Sequence, residues 1–150
     1  MLLKRLRINN PSAQFRGIGE LKKYKLGFFG GDSNLWHGAP VTIVDSEESS
    51  VWGVVWELSK NDEDNLDRQE SGYKSIYVNI ESPSLGIVKC KSYQKLLETV
   101  ADGTPSLIYK RIMIEGAKDH GLPDWYVKKL EDIPDNGYKG NIDIDVNIKI

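Results

Sequence analysis

The chain has 150 residues, 39% apolar and 28% charged, an ordinary globular mixture that points to one domain with a sizeable core. Its 20 basic and 22 acidic residues nearly cancel, and no basic cluster or arm stands out, which argues against a nucleic-acid surface. No apolar stretch is long enough to span a bilayer, the opening MLLKRLRINN is too interrupted for a secretory signal, and the single cysteine, Cys90, cannot form an internal disulfide, so the cytosol is the expected compartment.

Leu2, Leu3 and Leu6, set between Lys4, Arg5 and Arg7, predict a short amphipathic helix over 2–8. Asn9, Asn10 and Pro11 end it, because the residue before proline avoids helical angles. Residues 13–28 read as an irregular strand, and Gly27, Gly30 and Gly31 with Asp32 and Ser33 as a loop. The apolar run at 39–44 is a short strand, and 51–58, VWGVVWEL, a buried one rich in β-branched and aromatic residues. Ser59 is the expected N-cap of a helix reaching Glu70, with Asp62, Glu63 and Asp64 in its first turns, where the dipole favours negative charge. Residues 73–81 and 86–94 alternate and are joined by SPSLG, an antiparallel hairpin. Residues 96–105 form a loop or short helix, 109–118 a helix, and His120 and Gly121 a break. Pro123 then fits the first turn of another helix with Tyr126, Leu130 and Ile133 on one face. Apolar residues at 142, 144, 146, 148 and 150 give the tail a strand-like period, either frayed or paired with another chain. Strands followed by single helices, with hairpins mixed in, indicate an α+β domain.

Few constellations carry chemistry. His37 and His120 lie far apart without cysteines or carboxylates at ligand spacing, so no metal site is expected. His120, in DHGLP, reads as a surface residue, and His37, in LWHGA, as a packed or loop histidine that Trp36 could shield. Cys90 sits in the alternating run VKCKSY and reads as a packed thiol. No nucleophile elbow, Walker loop or dinucleotide fingerprint is present. Glu70 is the best candidate: at the C-terminal end of its helix, before a glycine turn, the dipole disfavours a carboxylate and raises its pKa. A carboxyl group tuned toward neutrality can take and return a proton. The plainer reading is a solvated glutamate at a helix end.

The stretch VWGVVWELSKNDEDNLDRQESGYKSIYV closely resembles the centre of the γ-glutamylcyclotransferases: a buried VWGVVW-type strand, a helix ending LDxQE, a turn and a strand with tyrosine. NNPSAQF, WHG, CKSY, PSLIYK and GAKDHGLPDWY match in the same order, so the resemblance covers about residues 1–140 and leaves 141–150 as a tail. It implies a small mixed β-barrel flanked by short helices, and no cofactor. It implies conversion of small γ-glutamyl-amino acids to 5-oxoproline and a free amino acid, within glutathione metabolism, by a homodimer. It assigns Glu70 as catalytic glutamate, Tyr109 as substrate-binding, and Tyr77 as a tyrosine near that glutamate.

Family members open on a strand and a YGSN-type loop that holds the glutamyl carboxylate and amine. Here residues 1–5 align with the helix that comes next, and GGDSNLW at 30–36 stands before WHG, in the wrong place for that loop. The expectation is an exposed sheet edge and weak or absent turnover even with Glu70 intact. Two rival readings stay open: an inactive interaction protein that keeps the fold, and a related enzyme for γ-glutamyl amines.

Overall fold

The computed structural model describes residues 6–7, 9–30, 35–95 and 102–142. Four strands, β1 (Gln14–Phe28), β2 (Val41–Glu57), β3 (Tyr73–Ser82) and β4 (Gly86–Lys95), form one sheet in the order β2-β1-β3-β4. Helix α1 (Lys60–Gln69) joins β2 to β3, and α2 (Leu107–Asp119) and α3 (Asp124–Glu131) follow the sheet. The architecture is the expected α+β. No helix among the described residues is long and apolar enough to cross a membrane.

Every recorded pairing is antiparallel, and the middle of the sheet is thin: β1 meets β3 only at Glu20 and Glu81. Like charges directly opposite repel, and Lys22, 2.7 Å from the Glu81 carboxylate, offsets that. The sheet is therefore two hairpins curled toward each other. At the far seam the Lys95 N–H donates to Thr42 Oγ1 (2.8 Å) and Gln94 Nε2 donates to the Ile43 carbonyl (3.1 Å), so the end of β4 returns to the start of β2. This curl is what the barrel expectation corresponds to.

The strands expected over 39–44 and 51–58 are one strand. The polar run DSEESS falls between the two expected strands, and the ladder resumes across it with a shift in register, from Lys22↔Ser50 to Tyr24↔Asp45. Lys23 sits at the step with φ 66°, and its ammonium lies 2.8 Å from Glu47. The β3–β4 hairpin is as expected, its turn closed by Leu85 N–H donating to Ser82 Oγ (3.3 Å) and by Gly86 at φ 72°. Leu6 and Arg7 are helical. The rest of the helix expected over 2–8, the loop at Asp32 and Ser33, residues 96–101 and the strand-like tail beyond Ile142 lie outside the described residues.

The main core sits between the sheet and α3. Ala117, Leu122, Tyr126, Val127 and Leu130 are buried together, with Ile18, Trp52, Val54 and Ile133 packed against them. The expected apolar face of α3 is thus the buried one. Pro123 stands one residue earlier than expected, at the N-cap, where its missing N–H costs nothing.

Helix α1 begins as expected, Ser59 Oγ accepting from Asp62 N–H at 3.3 Å. Buried Asp62 also accepts from the backbone N–H (2.8 Å) and hydroxyl of Ser12, which ties the turn before β1 to the helix. Those bonds, the hydroxyl first, hold the Asp62 carboxyl below its usual range. A lowered folded-state pKa contributes stability that is complete above the ordinary carboxylate range and is lost as pH falls from there through the lowered folded-state value. The thermal midpoint of the wild type is therefore expected to fall more steeply on acidification than that of Asp62→Asn. Parallel pH profiles would remove this role.

Candidate active site

Helix α1 ends at Glu70, its C-cap, whose N–H donates to the Leu66 carbonyl. The chain turns at once: the Glu70 carbonyl accepts from Tyr73 N–H at 2.9 Å, and Gly72 takes φ 97°, a conformation that glycine adopts without strain. The sharp turn sends the chain straight from the negative end of the helix dipole into β3, with Glu70 half-buried beside the sheet.

Opposite stands the start of α2. Ser106, fully buried, caps it by accepting from Tyr109 N–H at 3.2 Å. The Tyr109 phenol is buried, its oxygen accepts from Val41 N–H (3.2 Å), and its ring lies 4.6 Å from that of Trp36. This packing requires Gly38: a Cβ there would lie 2.3 Å from the Ser106 nitrogen and 2.9 Å from the Pro105 carbonyl carbon, both backbone atoms that cannot rotate away. Gly38→Ala is expected to cost about 3 kcal/mol and to shift Tyr109, read as a lower urea midpoint and altered near-ultraviolet dichroism.

A third group comes from β4. Lys91 and Tyr93, two residues apart and so on one face, meet the acidic side of α1. Lys91 Nζ lies 3.0 Å from Glu63 and 2.7 Å from Asp67, and the Tyr93 hydroxyl donates to the other Asp67 oxygen at 2.6 Å. The Lys91 and Tyr93 hydrogen bonds hold the Asp67 carboxyl below its usual range. Burial first, then Asp67, pushes the Tyr93 phenol up, and Asp67 followed by Glu63 raises Lys91.

These groups line one cavity of about 690 Å³: Glu70, Tyr73, Tyr93 and Tyr109, with Trp36 and Trp52 as apolar wall. The Trp52 indole nitrogen is buried and has no hydrogen-bond partner among the described residues. A carboxylate, three phenols and aromatic walls suit a small polar substrate and proton transfer. A shallower cleft of about 440 Å³ between α2 and α3 is rimmed by solvated charges and has no such grouping.

Of the residues singled out in sequence, Glu70 and Tyr109 meet at this cavity. Tyr77 does not line it: it lies directly opposite Lys91, on the face that also carries Tyr93, but is 65% exposed, with Lys89 Nζ 5.3 Å from its ring centre. His37 stacks on Tyr138 at 4.2 Å, a packed loop histidine as expected. His120 is half-buried rather than on the surface: it packs against Phe15 and Trp56, and its Nδ1 lies 2.7 Å from the Gly116 carbonyl. Burial pushes the Cys90 thiol up, away from nucleophilic use. Tyr73 and Tyr93 were not singled out, although CKSY carried a signal in Lys91 and Tyr93 at strand spacing opposite the acidic α1.

The AIG2-like family matches residues 50–130. The chain is 40% identical over 149 residues to a γ-glutamylcyclotransferase of Bos taurus and 38% identical to one of Homo sapiens, covering 95% of this chain and 78% of each relative. A solved structure of a γ-glutamyl cyclotransferase superposes with a TM-score of 0.87 at 36% identity, over 94% of this chain and 86% of that one. Likeness of this extent includes the strand, helix and turn that carry Glu70, and the chain belongs to the γ-glutamylcyclotransferases of the AIG2-like family.

Proposed function

We propose that this protein converts γ-glutamyl-amino acids to 5-oxoproline and a free amino acid, with Glu70 as acid/base and Tyr109 as a substrate-binding residue. The observation that carries the reading is the convergence of Glu70 and Tyr109 on one cavity from separate elements. The substrate's α-ammonium first gives a proton to the Glu70 carboxylate, and the freed amine nitrogen then attacks the γ-carbonyl carbon. The new C–N bond closes a five-membered ring, so proximity supplies much of the rate. The tetrahedral oxyanion calls for N–H donors. It collapses with cleavage of the original amide C–N bond, and the departing nitrogen receives the proton held by Glu70 and the second proton shed by the ring nitrogen, leaving as an ammonium. Atoms and charge balance without water or a redox partner.

The test is release of 5-oxoproline from γ-glutamyl-alanine by the purified chain, checked for folding by circular dichroism. A folded protein that shows neither release nor substrate-induced stabilisation would sink the reading. The same reading carries the activity on residues 1–140, in the cytosol and as a homodimer. The single cysteine supports the compartment, and sedimentation equilibrium would test the assembly.

A further inference from the structure

The seam between α1 and β4 does more than join helix to sheet. An ionised carboxylate only accepts hydrogen bonds, and Asp67 is held ionised by Lys91 at 2.7 Å. The Tyr93 hydroxyl must therefore be the donor in its 2.6 Å bond to Asp67. A phenol has one proton; once it is committed, the oxygen has only lone pairs left to offer. Tyr93 lines the same cavity as Glu70, and Asp67 precedes Glu70 by three residues, so both lie on the same side of the helix end. The negative charge of Glu70 is also felt at the Tyr93 phenol. An acceptor oxygen next to a carboxylate is an environment for a protonated amine, whose N–H groups need acceptors and whose charge is matched.

We propose that Tyr93, locked as an acceptor by Asp67, receives an N–H of the substrate's α-ammonium group and holds that nitrogen beside Glu70. The inference rests on the cyclotransferase reading and assigns the amine end of the substrate to a particular wall of the cavity. Asp67 is a positioning residue in this arrangement. Lys91 keeps it charged and in place.

The experiment separates amine binding from general damage by comparing two ligands. γ-Glutamyl-alanine carries the α-amine. Glutaryl-alanine lacks only that group, cannot cyclise, and is used as a competitive inhibitor. For Tyr93→Phe the expected result is a KM for γ-glutamyl-alanine raised about 10- to 100-fold, the range for a lost hydrogen bond to a charged group. The Ki of glutaryl-alanine should stay within about twofold. Asp67→Asn, which frees the phenol's proton, should show the same selective loss and serves as the second variant if Tyr93→Phe folds poorly. A Ki that rises in step with KM, or a KM unchanged in both variants while the wild type turns over, overturns the inference and leaves the reaction standing. A wild type that releases no 5-oxoproline overturns the reaction reading, and the inference with it.

Discussion

Glu70→Gln is expected to lower 5-oxoproline release by about 10²- to 10⁴-fold, the usual contribution of a positioned acid/base group. Glutamine is nearly isosteric and keeps the backbone roles of residue 70, as donor to Leu66 and acceptor from Tyr73. The helix end and the turn into β3 should therefore survive, and the variant should remain folded, read as an unchanged far-ultraviolet dichroism. What the variant loses is the capacity to hold a proton between its removal from the α-amine and its delivery to the leaving nitrogen. Turnover is measured by chromatographic release of 5-oxoproline, and binding by calorimetry with γ-glutamyl-alanine. Retained binding with lost turnover assigns Glu70 to the chemistry. Unchanged turnover would remove Glu70 from the mechanism and point to another proton acceptor at the cavity.

Tyr126→Ala is expected to be the most destabilising of these substitutions, at about 3–5 kcal/mol, the range for truncating a large buried aromatic. A domain of this size has about 5–15 kcal/mol to lose, so much of the population should unfold at moderate urea. Tyr126 is 2% exposed and sits at the centre of the cluster that joins α3 to the sheet. Burial pushes its phenol up to about 12, the mark of a side chain enclosed by apolar neighbours. It also borders the cavity, so truncation would open the floor of the candidate site toward the core. The check is the urea midpoint followed by tryptophan fluorescence. A loss below about 1 kcal/mol would mean that α3 is not the clamp the packing indicates.

The two substitutions fail for different reasons, and the contrast is diagnostic. Glu70→Gln should give a folded protein without turnover. Tyr126→Ala should give a protein whose turnover declines with its folded fraction. Activity normalised to folded protein distinguishes them, because a site effect persists after the correction and a stability effect disappears.

Much of this protein was legible in the residues alone. Ser59, Asp62 and Glu63 mark the start of α1, because cap and dipole effects act within one turn. The position of Glu70 at the helix end followed from the same local rules. The hairpin from Tyr73 to Lys95 and the apolar face of α3 were visible as periodicity. The ordered motifs from NNPSAQF to GAKDHGLPDWY carried the family.

Non-local pairing decided the rest. The polar DSEESS run divides two expected strands until β1 is laid beside them, when a shift in register at Lys23 lets the ladder resume. His120 lies in a sequence that reads as an exposed turn, and only the approach of Phe15 and Trp56 half-buries it. Tyr77 and Tyr93 are both tyrosines on alternating strands, indistinguishable by pattern. Both project from the same face of the β3–β4 hairpin, Tyr77 directly opposite Lys91; α1 reaches that face at Lys91 and Tyr93, so Tyr93 lines the cavity while Tyr77 is left exposed. The sequence by itself thus determined the start of α1 and its cap, the β3–β4 hairpin, the apolar face of α3, the family and the position of Glu70 at a helix end. Only the tertiary structure decided which tyrosines share a cavity with Glu70, because that depends on contacts between residues distant along the chain.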